Sequence, residues 1–165
     1  MHKYDSEYLE IVKDIINDPE FLKLKNFEHH GVSRYNHSLK VSYQAYKYAK
    51  KKNLDYKAVA VGGLLHDFFE SPINRSTKER FISTFNHSEL ALRNASNRYA
   101  INAKESDIIV SHMFPFSNRI PSCKESWLVM LFDKKAGICE WGKKFGYKLS
   151  YATNLCVLLF LNSIK

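Results

Sequence analysis

The sequence contains few residues of the kinds that cross-link or interrupt a chain. Among 165 residues there are three cysteines, six glycines and four prolines. Cys123, Cys139 and Cys156 are odd in number and form no CxxC pair. This argues against the disulfide scaffold of a secreted protein and against a thiolate zinc site. We therefore expect an intracellular protein in a reducing compartment, because a chain of this length can bury a core that needs no disulfide.

Long apolar runs are also missing. The longest one, at residues 156–161, is far too short to cross a bilayer. The first residues, from Met1 to Asp5, lack the apolar segment of a signal peptide. We therefore expect a soluble, cytoplasmic protein with no membrane partner.

Positive charge is in excess. Twenty-five Lys and Arg residues against 17 Asp and Glu residues give a formal net charge of +8, which favours anionic partners such as nucleotides, nucleic acid or acidic surfaces. The composition, 45% hydrophobic and 25% charged, is ordinary for a globular protein. We expect one domain over residues 1–165, with a motif-bearing core at about 32–142.

Apolar residues recur at three- and four-residue steps along nearly the whole chain, which predicts an all-α, single-domain helical bundle. The predicted helices are at about 6–17, 33–51, 56–66 and 150–164, with a short turn around 21–24. Three further helices are expected to start at Asn86, Asn102 and Ser122, each followed by a glutamate three residues later. The last helix is expected to close the core with Leu155, Leu158 and Leu159.

Two helices of this bundle have unusual interiors. The helix at 33–51 has an inward stripe that includes charged and ionisable residues; its members are Arg34, His37, Val41, Ala45 and Tyr48. The helix at 56–66, for which Asp55 is the expected N-cap, has Gly62 and Gly63 in its interior. Glycine is costly there unless a neighbouring element packs closely against the backbone, so we expect this helix to be central.

Six ionisable residues lie at helix ends or on inward faces of five predicted helices. They are His37, His66, Asp67, His87, His112 and Asp133. A single inward histidine is more often a hydrogen-bonded core residue than a ligand. A buried carboxylate, however, must be paired, protonated or bound to a cation, and imidazole with carboxylate suits Fe, Mn, Co, Ni or Zn. Together the six residues predict a metal site.

The order His, His-Asp, His, His, Asp resembles the HD-domain superfamily of metal-dependent phosphohydrolases. The segments that resemble it are RYNHSLKVS, GGLLHDFFE, NHSELALRNA, IIVSHMF and LFDKKAGICEW. The resemblance implies a helical fold of the HD type. It also implies a quartet of ligands for one metal, namely His37, His66, Asp67 and Asp133. His87 and His112 would hold a second ion, with Asp67 as the bridging ligand.

By this resemblance, the protein is a hydrolase that uses two divalent transition-metal ions (Fe, Mn, Co, Ni or Zn) to activate water against a phosphoester or phosphoanhydride bond. The expected substrate is a small phosphorylated compound, with a nucleotide favoured over nucleic acid. Phe68-Phe69 and Phe114–Phe116 are aromatic residues that could stack on a nucleobase. Besides the catalytic bridging residue Asp67, two cationic residues are candidates for binding substrate phosphate.

The two cationic candidates for binding substrate phosphate are Arg34, one turn before His37, and Lys134, directly after Asp133. The alternative role for Arg34 is an ion pair with a neighbouring carboxylate, and for Lys134 the alternative is plain solvent exposure.

For the function of the whole protein, two alternatives stay open. One is a non-catalytic nucleotide or nucleic-acid binding module with a structural metal site. The other is an HD-type oxygenase with a di-iron pair.

Overall fold

The fold is all-α, as the periodicity predicts. A computed structural model describes residues 4–29, 31–70 and 77–163, with side chains at 4–27, 31–70, 86–142 and 145–146. Over these residues there are seven α-helices, one 3-10 helix and one antiparallel pair of two-residue strands. In chain order they are α1 (Ser6–Ile16), α2 (Pro19–Leu22), the 3-10 helix (Lys23–Asn26), β1 (Glu28–His29), β2 (Val32–Ser33), α3 (Arg34–Lys51), α4 (Tyr56–Leu65), α5 (Thr77–Ser96), α6 (Ala103–Ser111) and α7 (Lys124–Ser163).

Side-chain caps define the starts of the two helices that lead into the centre of the molecule. Asp55 accepts a hydrogen bond from the backbone N–H of Ala58 at 3.1 Å and begins α4. Asn102 and Glu105 form the predicted capping box of α6, each side chain accepting from the other's backbone N–H. These contacts satisfy N–H groups that have no partner within the helix, so the predicted starts of α4 and α6 are confirmed.

The other two predicted starts have different outcomes: Asn86 does not start a helix, whereas a helix does start close to Ser122, at Lys124. α5 begins at Thr77, so Asn86 lies inside it and His87 is in its second half rather than its first turn. Ser122 precedes the start of α7, and its backbone N–H donates to Asp107 Oδ2 at 3.0 Å. A polar residue three positions before a glutamate also occurs within helices, and residues 77–96 contain neither proline nor glycine to end one.

The predicted separate helix from about residue 150 is also wrong. α7 is continuous from Lys124 to Ser163, a span without proline, although it contains three glycines. Interior glycine costs about 1 kcal/mol relative to alanine but does not remove a backbone hydrogen bond, so it does not by itself stop a helix. The side chains of Leu155, Leu158 and Leu159, which are expected to close the core, lie outside the described side chains.

The buried stripe of α3 agrees with the prediction except at its end. Arg34, His37, Val41 and Ala45 are buried, whereas Tyr48 is 45% exposed. The small Ala49 faces the core in its place, and the Tyr48 ring lies at the rim with its centroid 5.9 Å from that of Phe132. A tyrosine at the rim keeps its hydroxyl in water, which explains the difference.

The helix α4 is central because its glycines let two neighbouring helices approach. A Cβ at Gly62 would lie 2.8 Å from Ile108 Cγ2 on α6, and one at Gly63 would lie 3.2 Å from Ser42 Cα on α3. Two apolar clusters of the core meet at this helix, with Leu64 in one and Val59 in the other. The close packing brings the C-terminal end of α4 beside α3 and α6.

In the described part of the chain, none of the helices combines the length and apolar composition that a membrane span requires.

Candidate metal centre

The structure brings all six predicted ligands into one buried cluster. Each helix from α3 to α7 contributes, either from within the helix or from the residues that directly follow it. The six residues are His37, His66, Asp67, His87, His112 and Asp133, and none of them, taken as a whole residue, is more than 8% exposed. Because buried ionisable groups require partners, the distances among them decide what the cluster can bind.

Three of the ligands form a first group on one side of the cluster. Nε2 of His37 lies 3.0 Å from Asp133 Oδ1, and Nε2 of His66 lies 3.6 Å from the same oxygen. One ligand atom from each of the three residues lies within 4.8 Å of the other two. A single cation could therefore contact all three.

Asp67 faces ligands on two sides. Its Oδ2 lies 3.8 Å from Nε2 of His66, whereas its Oδ1 lies 3.4 Å from Nε2 of His87 and 3.7 Å from Nε2 of His112. Asp67, His66 and His112 form a second group whose ligand atoms are within 4.8 Å of one another. The two oxygens of one carboxylate thus point to different sets of imidazoles, which is what a bridging ligand requires.

The imidazole rings are oriented for metal binding. Nδ1 of His66 lies 2.8 Å from the carbonyl oxygen of Gly63, and Nδ1 of His112 lies 2.7 Å from that of Ile109. A carbonyl oxygen only accepts, so each Nδ1 carries the hydrogen and each Nε2 presents its lone pair to the cluster. Metal-ligating histidines are usually held in this way.

Two observations test whether the cluster fits a metal ion. Nε2 of His66 is buried and has no hydrogen-bond partner among the described residues, which is costly for a polar atom unless a cation contacts it. Nε2 of His87 and Nε2 of His112 lie 3.0 Å apart. Neighbouring ligands of an octahedral ion with bonds of about 2.1 Å are also separated by about 3.0 Å. The residues therefore fit divalent metal.

Electrostatics favours the ligand forms of His112 and Asp133. Burial, together with the neighbouring His66, lowers the pKa of His112 to about 3, so this imidazole is neutral at pH 7. Burial by itself would raise the pKa of Asp133, but its interactions with His37, His66 and His112 together outweigh burial and hold that pKa well below its usual range. Neutral imidazole and ionised carboxylate are the forms that bind metals.

His37 behaves differently from His112. Burial would lower its pKa, yet its hydrogen bonds with Asp133 and Glu140 raise the pKa to about 9. In the absence of metal this imidazole therefore holds a second proton near Asp133. If Nε2 of His37 holds a metal, binding would require the loss of that proton.

Residues 34–137 match the HD domain family, a span that includes all six predicted ligands and more than half of the chain. The chain belongs to the HD-domain family. HD domains are generally metal-dependent hydrolases, and the fold is the all-α one that the resemblance implies. Searches of the curated proteins and of the solved structures found no match.

Arg34 lies inside this HD domain beside Asp67. Its side chain is buried, its Nε lies 3.9 Å from Asp67 Oδ2, and its Nη1 donates to the carbonyl oxygen of Phe69 at 2.6 Å. The guanidinium carbon lies 3.9 Å from the Phe69 ring centroid, and this ring stacks on His87 with centroids 4.9 Å apart. Phe69 thus joins Arg34 to a predicted ligand of the second ion.

Lys134 is at the edge of the HD centre and is not simply exposed to solvent. Its Nζ donates to Asp133 Oδ2 and to the carbonyl oxygen of His112, both at 3.0 Å, and a quarter of its side chain is exposed. Phe116 is 59% exposed, and its ring centroid is 5.8 Å from the same Nζ. A cation and an accessible aromatic ring therefore lie together beside the cluster.

Sequence reasoning missed one residue of the centre, Glu140. Its Oε2 lies 2.8 Å from Nδ1 of His37, and its side chain is buried. Glu140 follows Asp133 by seven residues, which is two helical turns and hence the same face of α7. The seven-residue spacing between Asp133 and Glu140 is the sequence signal that indicates a second carboxylate on this face.

Proposed function

We propose that this HD domain is a phosphohydrolase with a dinuclear metal centre, which cleaves a phosphoester or phosphoanhydride bond in a nucleotide or another small phosphorylated compound. The observation that supports this best is the position of Asp67, whose two oxygens face two sets of histidines. A single-ion site would leave His87 and His112, both buried, without a comparable function.

In this proposal, His37, His66 and Asp133 hold one ion, His87 and His112 hold the other, and Asp67 contacts both. The donor set of imidazole and carboxylate is that of Fe, Mn, Co, Ni or Zn rather than the all-oxygen set of Ca²⁺. When bound, two such ions lower the pKa of water, polarise a phosphoryl oxygen and stabilise charge on the leaving oxygen. A separate general base from the chain is not required.

The chain itself excludes water from the centre and supplies positive charge around it. The buried ligands lie in a low-dielectric environment, which strengthens their interactions with a charged substrate. Lys134, beside Asp133 and partly exposed, could contact a substrate phosphate, and Arg34 adds a positive charge beside Asp67. Phe116 is the aromatic residue on which a nucleobase could stack, because the ring of Phe69 is already covered by Arg34 and His87.

The direct test is an assay of the metal-reconstituted protein against a panel of nucleotides and simple phosphate esters. We expect turnover that depends on added Mn²⁺, Co²⁺ or Fe²⁺ and stops with a chelator. Oxygen consumption without phosphate release would instead favour the di-iron oxygenase. Ligand binding without turnover would favour the non-catalytic binding module.

Metal content provides a second prediction. The purified wild-type protein should retain about two transition-metal ions per chain, because the two oxygens of Asp67 face different sets of imidazoles. Replacement of both His87 and His112 by alanine should leave about one ion. Elemental analysis that finds at most one ion in the wild type, unchanged in the double variant, would contradict the dinuclear proposal.

The variant Arg34→Ala should lose catalytic efficiency and keep its metal, if Arg34 binds substrate phosphate. Loss of one charge-assisted contact of about 1.5–3 kcal/mol corresponds to roughly tenfold or more in kcat/KM. Arg34→Lys should recover only part of the loss, because a point charge does not reproduce the planar fork of guanidinium.

The competing interpretation is that Arg34 only pairs with Asp67 and supports Phe69. In that case Arg34→Ala would melt at a lower temperature and lose metal together with activity. Thermal midpoint, metal content and kcat/KM measured on the same preparation separate the two interpretations.

A further inference from the structure

The histidines of the centre are oriented by two kinds of acceptor. His66 and His112 donate from Nδ1 to backbone carbonyl oxygens of their own helices. His37 instead has Nδ1 2.8 Å from Oε2 of Glu140, a side chain on another helix. A backbone acceptor is supplied by any sequence that forms the helix, whereas the acceptor of His37 depends on one residue.

Glu140 is held in place by a second partner. Its other oxygen, Oε1, accepts from Lys40 Nζ at 2.7 Å, and the side chain of Glu140 is only 5% exposed. Lys40 lies three residues after His37 on α3, so both partners of the carboxylate come from one helix. The ammonium group of Lys40 next to Oε1 favours the ionised form of this carboxylate.

We propose that Glu140, held by Lys40, is a positioning residue of the metal centre: its carboxylate accepts Nδ1–H of His37 and directs Nε2 toward Asp133 and the metal. The proposal rests on the proposed function only in requiring that the cluster binds metal. A carboxylate in this position has two effects, because it orients the ring and its charge makes Nε2 a more basic ligand.

The same contact joins α3 to α7 at the centre. Asp133 and Glu140 are two turns apart on one face of α7, and they contact the two nitrogens of one imidazole, at 3.0 Å and 2.8 Å. A shift of α7 along its axis would break both contacts. The two contacts therefore fix His37 on α3 with respect to Asp133 on α7. The positive charge of Lys40 makes burial of the second carboxylate tolerable.

The test is the affinity of the protein for Co²⁺ and Zn²⁺ without substrate. In Glu140→Ala we expect the dissociation constant of one ion to rise about 10–100-fold, the usual effect of removing such a partner. Glu140→Gln should raise it by less than about tenfold, because the amide oxygen still accepts from Nδ1–H but lacks the charge. The visible absorption of bound Co²⁺ should change in the alanine variant, because the ligand ring is no longer held.

Glu125→Ala is the matched control. Glu125 is also a buried carboxylate on α7, where it accepts from Lys104 at 3.2 Å and from the backbone N–H of Asp55 at 3.0 Å. It precedes Asp133 by eight residues, about 12 Å along the helix axis. The control variant should be destabilised, like any protein that loses a buried pair, but its metal affinity should be that of the wild type.

Each outcome decides something different. Wild-type affinity and Co²⁺ spectrum in both Glu140 variants would overturn the positioning role alone. An equal loss of affinity in Glu125→Ala would overturn it too, since the effect would then be one of general stability. If Glu140→Ala does not fold, Glu140→Gln decides. Absence of metal binding in the wild type would overturn this proposal together with the dinuclear centre. Dependence of affinity on Glu140 without phosphate release would support the role and reject the hydrolase.

Discussion

Asp67→Ala is expected to abolish hydrolysis, with kcat/KM falling by about 10⁴-fold or more, as when a catalytic centre loses an essential member. Asp67 is the only predicted ligand whose two oxygens lie within 4 Å of histidines on both sides of the cluster. Its removal also leaves the buried guanidinium of Arg34, 3.9 Å away, without this carboxylate. Asp133→Ala should come close, because it removes a charged ligand of one ion. Turnover of the best substrate found in the panel is the measurement.

Asp107→Asn is a suitable control for Asp67→Ala. Asp107 is on α6, where it accepts from the backbone N–H of Ser122 at 3.0 Å and from the hydroxyl of Ser126, and it contacts no predicted ligand among its described hydrogen bonds. We expect it to keep turnover near that of the wild type. The proposed mechanism is wrong if Asp67→Ala, folded and supplied with metal, turns over at a rate close to that of the wild type.

Gly62→Ala is expected to destabilise the protein by about 1–3 kcal/mol, the usual cost of overpacking a dense core. The new methyl group would lie 2.8 Å from Cγ2 and 2.9 Å from Cβ of Ile108. The Cβ atom of Ile108 cannot move without its helix, so α4 and α6 would have to separate. Because His66 and His112 directly follow these two helices, metal affinity should also fall. Denaturant unfolding of the metal-free and metal-loaded protein measures both effects.

Gly142→Ala should increase the stability of the protein instead of lowering it. Gly142 is exposed in α7, and a Cβ there would meet nothing within 4 Å. The substitution should stabilise the protein by about 0.5–1 kcal/mol, since alanine loses less conformational entropy in a helix than glycine does. A destabilisation of equal size in both variants would show that the close approach of Ile108 is not the cause.

Local chemistry allowed much of the fold to be predicted. The starts of α4 and α6 depend on Asp55 and Asn102, whose side chains bond to backbone groups a few residues away. The extent of α3 also agrees to within one residue. The prediction failed at Asn86, because the helix already begins at Thr77 and continues through this residue. An N-capping pattern identifies a residue at which a helix can begin, but it does not require a helix to begin there.

The sequence by itself determined the candidate ligands, because ionisable residues at helix ends or on apolar inward faces have few alternatives to a cation once they are buried. His37, His66 and Asp133 could be selected on that basis without knowing any distance between them. The contact between Glu140 and His37 was decided only by the tertiary structure, because it joins residues 103 positions apart. The stacking of Phe69 between Arg34 and His87 was decided in the same way. Such contacts depend on how closely the helices approach, which is a property of the packed core rather than of any one segment.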